Sequence, residues 1–350
     1  MSDRSTPQVS VVIVTHNYGR FIEECLDSVL SQDFPADQME VVVVDDGSTD
    51  DTPDSVKKYG SRVRYFYKPN GGQASALNLG FAKARGEIIA LLDADDYFLP
   101  GKLARVAEAF ARDPGLGMFY HPFLEFDMET KEQRISKFPP LISGSPFKDL
   151  KKFVWYAGPG TCASFRRKFL DRLLPIPEEI RMLADGYLGS LIVFVAPILA
   201  VPECLSGYRF HGKNAYHADA NQSVEARKKR LPLYEVEFEA MRRWLADNGY
   251  SRQQMPVRVF LDCWNIYLEG EGFLLKPPSR LRFFWWTVRK NHADSRVQGW
   301  KFTILRYLTC WSALILGYGK ADQVDKWQGR TIRAYQMFFG GRSKQSPSGY

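Results

Sequence analysis

The chain has 350 residues, 45% of them hydrophobic and 25% charged, which is enough apolar material for about two domains with sizeable cores. Those proportions exclude intrinsic disorder, collagen-like repeats and a disulfide-dense mini-protein. The formal net charge of +7 comes from 47 Lys and Arg against 40 Asp and Glu, and it is concentrated: Lys276 to Arg306 carries eight basic residues and one acid, a surplus of seven. The five cysteines (Cys25, Cys162, Cys204, Cys263, Cys310) form no C-x-x-C pair, and the N-terminus shows no basic flank, long apolar stretch and cleavage site. A reducing, cytoplasmic location without a zinc cluster is the expectation.

In chain order, the first hundred residues alternate between two periodicities. Val9-Ser10-Val11-Val12-Ile13-Val14 is a near-continuous β-branched run, the pattern of a strand buried on both faces. Phe21, Ile22, Cys25, Leu26, Val29 and Leu30 recur at helical spacing, with Glu23, Glu24 and Asp27 on the other side. Glu40 to Val44 predicts a second strand. Asp50-Asp51-Thr52-Pro53 predicts a helix start, with Thr52 as N-cap and Pro53 at the first helical position. Val63 to Tyr67, Gln73 to Ala84 and Glu87 to Leu92 predict strand, helix and strand, and a further helix starts near Pro100. Such alternation implies a mainly parallel α/β sheet. From Met118 the pattern loosens, with loops at Pro139-Pro140, Ser143-Gly144-Ser145-Pro146 and Gly158-Pro159-Gly160. Beyond Ala218 it turns helical, over Asn221 to Asn248 and Pro256 to Phe273. The predicted organisation is an α/β domain over 1–220, a helical, basic and aromatic region over 221–340, and a flexible tail over 341–350.

In an open α/β sheet, ligands bind outside the carboxyl ends of the strands. Thr15-His16-Asn17 follows the first strand, Asp45-Asp46-Gly47-Ser48 the second and Asp93-Ala94-Asp95-Asp96 the fourth. Asp-Gly-Ser-Thr-Asp reads equally as turn and cap chemistry. Three carboxylates within four residues repel one another unless a cation intervenes, and hard oxygen ligands of this kind suit Mg²⁺ or Mn²⁺ bridged to phosphates. There is no G-x-x-x-x-G-K-[ST], no G-x-G-x-x-G after the first strand and no G-x-S-x-G elbow. Gly71-Gly72 before a helix offers backbone N–H groups to a phosphate or makes a plain turn.

Taken together and in this order, Val9 to Asn17, Val44 to Asp50, the run from Asn70-Gly71-Gly72 through Asn78-Leu79-Gly80 to Glu87, and Leu92 to Asp96 resemble glycosyltransferase family 2. The resemblance covers roughly residues 9 to 215. It implies the GT-A fold, a nucleotide-binding α/β sandwich, and inverting transfer of a sugar from a nucleotide-sugar donor, a UDP-sugar by default, to the hydroxyl of a carbohydrate or lipid-linked acceptor. By resemblance, Thr15, Asn17, Asp46, Asn78 and Asp93 bind the nucleotide, Asp46 accepting from the base. Asp93 and Asp95 hold the pyrophosphate through a divalent metal (Mn²⁺ or Mg²⁺), with His211 as a further ligand and Arg209 or Lys213 as a phosphate partner. Asp185, in Leu183-Ala184-Asp185-Gly186-Tyr187, is the implied general base. Ala184 stands where the family usually has Glu, and Val14 and His16 stand where it often has Pro and Tyr. No Q-x-x-R-W motif of processive polymer synthases is present, which points to single addition, in cell-surface polysaccharide or glycolipid assembly. Two competing readings are a sugar-phosphate nucleotidyltransferase and a catalytically degenerate scaffold that binds a partner or nucleic acid. The first would want a Gly-rich, Arg-bearing loop after the first strand, and the carboxylates at Asp46, Asp93, Asp95 and Asp185 argue against the second.

The basic segment interleaves Phe283, Phe284, Trp285, Trp286, Trp300, Phe302 and Tyr307 with its cations. The run Phe302 to Tyr318 is shorter than the ~20 residues of a spanning helix and contains Arg306. An interfacial helix fits this pattern, and so does a buried helix of a C-terminal bundle. The expectation is a peripheral protein on the cytoplasmic face of the plasma membrane, attached through 276–320, with no nucleic-acid partner.

Overall fold

The structure is a computed structural model that describes residues 7–136, 143–145, 158–212, 214 and 224–275, and in addition 278–279, 281–283, 285–286 and 288–289. The first elements are β1 (Val9–Thr15), α1 (Gly19–Leu30), β2 (Met39–Asp46), α2 (Thr52–Lys57), β3 (Arg64–Lys68), α3 (Gln73–Lys83) and β4 (Ile88–Asp93). Then come β5 (Tyr97–Phe98), α4 (Lys102–Arg112), β6 (Met118–Tyr120), β7 (Leu124–Asp127), β8 (Gln133–Ile135) and β9 (Ala163–Arg166). The remainder is α5 (Arg167–Leu170), α6 (Ala184–Val195), β10 (Ile198–Ala200), β11 (Ser206–Phe210), α7 (Val224–Asp247) and α8 (Met255–Leu275).

The apolar runs form a seven-stranded sheet in the order β10-β6-β9-β4-β1-β2-β3. β1 lies between β2 and β4 and pairs parallel with both, which sets Thr15 opposite Asp45 and Val14 opposite Asp93. The polar strand ends therefore fall side by side at one edge. β9 enters antiparallel between β4 and β6, so the sheet is mainly rather than wholly parallel. Alternate residues of one strand face opposite layers. Val41 and Val43 join a core with Ile22, Leu26 and Val29 of α1 and Val106 and Phe110 of α4. Val42 and Val44 join Ala76 of α3 on the other face. A second sheet, β5-β11-β7-β8, was not anticipated from the sequence: its strands are two to five residues long and it pairs β11 with β7 across 80 residues of chain.

Two local expectations need adjustment. Thr52 is the first residue of α2 rather than its cap, because the Asp50 carboxylate takes the Thr52 N–H (3.0 Å) and hydroxyl (2.5 Å). That frees the Thr52 hydroxyl oxygen to accept from the Tyr18 N–H at 3.1 Å, which ties α2 to the end of β1. The expected boundary near residue 220 lies outside the described residues, as do Lys213, the run 302–318 and the tail. The chain divides into two compact units, Met1–Leu261 and Asp262–Tyr350. Among the described residues, no helix is long and apolar enough to cross a membrane.

α3 delivers its N-terminus to the strand ends because Gly80 lets it lie close on β1. A methyl group at position 80 would meet Val12 Cγ1 at 2.6 Å. Alanine is favoured over glycine inside a helix by about 1 kcal/mol, whereas overpacking a tight core costs about 1–3 kcal/mol. The steric effect wins: Gly80→Ala is expected to destabilise by about 1 kcal/mol net in urea denaturation, and a stabilised variant would show that the helix has room to move.

Candidate active site

Four segments meet at the carboxyl edge of the large sheet. At the end of β1, Asn17 takes the left-handed conformation (φ 61°), and its carboxamide oxygen accepts the Thr49 N–H at 2.7 Å. Its N–H donates to Ser48 Oγ at 2.8 Å, so Asn17 locks the β1 turn to the β2 turn. Thr15 is buried, and its hydroxyl has no hydrogen-bond partner among the described residues. In the β2 turn, Asp45 is engaged by the Ser48 N–H and the Tyr65 hydroxyl, each at 2.7 Å, which is turn chemistry. Asp46 does something else. Its carboxylate accepts the Gly71 and Gly72 N–H groups, both at 2.8 Å, and Lys68 Nζ at 2.7 Å. Gly72 holds φ 90°, a conformation that suits glycine alone, and packs on the Arg181 main chain. The carboxylate thus shapes the Gly71-Gly72 turn at the start of α3.

Asn78 is engaged with another part of the chain. Its amide donates to Ile176 O (2.8 Å) and accepts from Ile176 N (2.9 Å), so it tethers α3 to a distant loop, with both ends of the amide engaged. Arg209 is likewise not available to a phosphate. It is buried, stacks on Tyr97, pairs with Glu24 at 2.6 Å and donates to the Asp95 main-chain carbonyl at 2.7 Å.

The acidic run after β4 separates by burial into different tasks. Asp96 is fully buried and accepts from the Thr161 hydroxyl (2.6 Å) and the Arg209 N–H (3.1 Å), fastening β11 and the loop before β9 to the end of β4. The Thr161 hydroxyl oxygen also accepts the Asp93 N–H at 3.1 Å and lies 3.2 Å from Asp93 Oδ2, and its carbonyl receives Lys102 Nζ at 2.5 Å. Lys102 is itself fully buried, 3.8 Å from the Phe98 ring centre, and burial pulls its amine down to about 7. Asp95 meets His211 Nε2 at 3.0 Å. Burial, followed by the charges of Asp185 and Asp95, pushes Asp93 up to about 8.

Asp185 lies in the first turn of α6. Desolvation raises its carboxyl, opposed by the main-chain N–H groups of Gly186 and Gly160 and by the Gln73 side chain. Gln73, the first residue of α3, also accepts the Ala184 N–H at 2.9 Å, and its own N–H donates to Arg181 O at 2.9 Å. It joins the turn shaped by Asp46 to the segment carrying Asp185. Thr161 and Gln73 carry no motif of their own, and the sequence singled out neither.

Among the described residues, no three His, Cys, Asp or Glu side chains converge closely enough to hold an ion unaided. The donor set nevertheless fits a divalent ion. Adjacent ligands at ~2.1 Å on an octahedral ion lie roughly 3 Å apart, and Asp95 and His211 present a carboxylate oxygen and an imidazole nitrogen at 3.0 Å. Burial and then the repulsion of Asp185 and Asp95 raise Asp93, and a cation there would offset both, while substrate oxygens commonly complete the shell of Mg²⁺.

An α/β sandwich with clustered carboxylates at its strand ends is the architecture of nucleotide-sugar transferases, and the comparisons agree. Residues 10–174 match the family model described as Glycosyl transferase family 2. An uncharacterized glycosyltransferase of Nostoc sp. is 31% identical over 256 residues, covering 70% of this chain and 77% of the relative. The chain belongs to glycosyltransferase family 2, and is a glycosyltransferase. Chondroitin synthase of Pasteurella multocida is 40% identical over 117 residues, 33% of this chain but 12% of that longer protein. Among solved structures, S. aureus TarS 1–349 in complex with UDP superposes with TM-score 0.58 at 19% identity, over 92% of each chain. A mannosyltransferase from Pyrobaculum calidifontis in complex with GDP-Man and Mn²⁺ gives 0.51 at 21% identity, over 97% of this chain and 90% of that one. These two establish the shared fold.

Gln73→Glu keeps an acceptor for the Ala184 N–H but sets a second carboxylate against Asp185. The expected result is a fall in kcat of at least tenfold, about 1.4 kcal/mol of barrier, with nucleotide affinity within twofold of the parent. Steady-state kinetics beside calorimetry would check it, and an unchanged kcat would mean that Gln73 serves the fold alone.

Proposed function

We propose that this glycosyltransferase performs a metal-dependent, inverting, single transfer from a nucleoside-diphosphate sugar, by default a UDP-sugar, to a hydroxyl of a carbohydrate or lipid-linked acceptor in surface polysaccharide or glycolipid assembly. The observation that carries the reading is electrostatic. Asp93 and Asp95 at the end of β4 converge with Asp185 from the first turn of α6, and burial, followed by the charges of Asp185 and Asp95, pushes Asp93 up.

In this reading, Thr15, Asn17 and the turn held by Asp46 face the nucleoside, and the unpartnered Thr15 hydroxyl is the group left to meet it. Asp93, Asp95 and His211 face the pyrophosphate. A bound divalent ion supplies Lewis-acid neutralisation of the diphosphate as it departs. Asp185 accepts the proton of the acceptor hydroxyl while that oxygen bonds to the anomeric carbon and the carbon–phosphate-oxygen bond breaks on the opposite face. One displacement of this kind inverts the configuration and needs one base, which matches one carboxylate helped toward its charged form by Gln73. Desolvation also makes Asp185 a stronger base than an exposed aspartate.

Calorimetric titration of UDP, GDP and dTDP, with and without Mn²⁺, tests the donor class. One nucleotide is expected to bind only with the ion, and Asp95→Ala to remove that dependence. Asp185→Asn should bind the nucleotide as the parent does while transfer falls by about 100-fold or more. Metal-independent binding by the parent would overturn the metal, and retained turnover by Asp185→Asn would overturn the base.

A membrane-surface site in the second unit is supported by a specific feature. Phe273, Phe283 and Trp286 pack together, while Leu281 and Trp285 are 60% and 57% exposed. Arg282 and Arg289 flank them and pair with Glu269. Apolar tips beside cations suit an anionic interface on the cytoplasmic face. The double variant Leu281→Glu, Trp285→Glu should leave the pellet in sedimentation with phosphatidylglycerol vesicles; if it co-sediments like the parent, these residues do not make the contact.

A further inference from the structure

α7 turns one carboxyl inward. Its buried stripe includes Phe238, Met241 and Leu245, and Glu235 and Glu239 are exposed, yet Glu237 is only 3% exposed. Its carboxyl lies over the first turn of α6. A methyl group at Gly186 would stand 2.6 Å from Glu237 Oε1. Glycine at 186, directly after Asp185, is therefore what allows carboxyls from α6 and α7 to share this space.

The two carboxyls are served differently. Asp185 has main-chain N–H groups and Gln73 favouring its charge. Glu237 has no hydrogen bond from the described residues, and its carboxyl is held well above the usual range by burial and then by the charge of Asp185. Burying a polar group without a partner is costly, and a leucine at this position would extend the apolar stripe without that cost. A carboxyl kept in such a place, beside the group that meets the acceptor, is suited to a partner that arrives with substrate.

We propose that Glu237 is an acceptor-side specificity residue, whose carboxyl hydrogen-bonds a hydroxyl neighbouring the one that Asp185 deprotonates. The site then favours a sugar ring with adjacent hydroxyls over a simple alcohol. The proposal rests on the reading of Asp185 as the base. It assigns to α7, which lies beyond the matched residues 10–174, a share in acceptor choice.

The test uses the full chain with UDP-GlcNAc and GDP-mannose as donor probes, and methyl β-glucoside, methyl β-galactoside, 1-propanol and water as acceptor probes. The parent, Glu237→Gln and Glu237→Leu are compared for donor binding, for KM and kcat toward each glycoside, and for the ratio of glycoside to propanol product. Both variants are expected to bind donor within twofold of the parent. KM for the glycosides should rise at least tenfold in Glu237→Leu, with a smaller rise in Glu237→Gln, whose amide still offers a hydrogen bond. The preference for glycoside over propanol should fall at least tenfold in Glu237→Leu. Glu237→Gln has nearly the parent's shape and carries the test if the leucine variant does not fold. A parental glycoside preference in the variants, or a loss of donor binding parallel to the loss of transfer, would overturn the role of Glu237. A parent that transfers to neither water nor glycoside from either donor, or an Asp185→Asn variant that transfers normally, would instead overturn the reading of the site on which the proposal stands.

Discussion

Asp93, Asp95 and Asp96 crowd three carboxyls onto four residues at the end of a strand buried on both faces, and much of the remaining structure is arranged around that crowding. Asp96 is removed from the problem by complete burial, where it accepts from Thr161 and from the main chain of Arg209. The bond from Arg209 fastens β11, and with it the second sheet, to the end of β4, and the bond from Thr161 fastens the loop before β9. His211 follows directly after β11, and its approach to Asp95 at 3.0 Å depends on that fastening. One buried carboxyl thus positions the partner of another. What remains is the closeness of Asp93 and Asp95, and the proposed reading puts the cation and the diphosphate there.

The turn before α3 is organised by a different carboxylate in the same manner. Asp46 receives two backbone N–H groups and a lysine, so the turn at Gly71-Gly72 has one shape before any ligand arrives. Gln73 comes next in the chain and bonds to the segment that carries Asp185. The Gly71-Gly72 turn and the segment carrying Asp185 are therefore two ends of one short connected structure. Groups held ready by their surroundings need no rearrangement at the moment of reaction, which is the general source of electrostatic catalysis.

The sequence is legible where a constraint leaves a repeated pattern and silent where a single contact decides. A strand buried on both faces must be apolar along its length, so β1, β2 and β4 were visible to within two residues. Carboxylates packed into Asp93-Ala94-Asp95-Asp96 were visible because so dense a run needs a reason. Which of them is structural was not visible, since burial separates Asp96 from Asp95 and burial is set by β9 and β11. Thr161 and Gln73 escaped notice because their partners lie 65 to 68 and 111 residues away and no local spacing reports them. Asn78 shows the reverse case. A residue inside a recognisable run is engaged at both ends by Ile176, and the run alone could not distinguish a ligand contact from a tether.

Lys102 shows how far below the site this organisation reaches. A buried amine is costly, and here burial lowers its affinity for a proton until the charge is only partly favoured at neutral pH. It donates to the Thr161 carbonyl and to Ser206 Oγ at 2.9 Å, above the face of Phe98. Thr161 is consequently held at both ends, its carbonyl by Lys102 and its hydroxyl by Asp96 and Asp93. A threonine fixed in this way cannot rotate its hydroxyl away from Asp93 without losing its bond to the buried Asp96 carboxyl, a loss of about 1–3 kcal/mol. The orientation of the Asp93 carboxyl is thereby set from beneath, by the buried residues Thr161, Lys102 and Ser206.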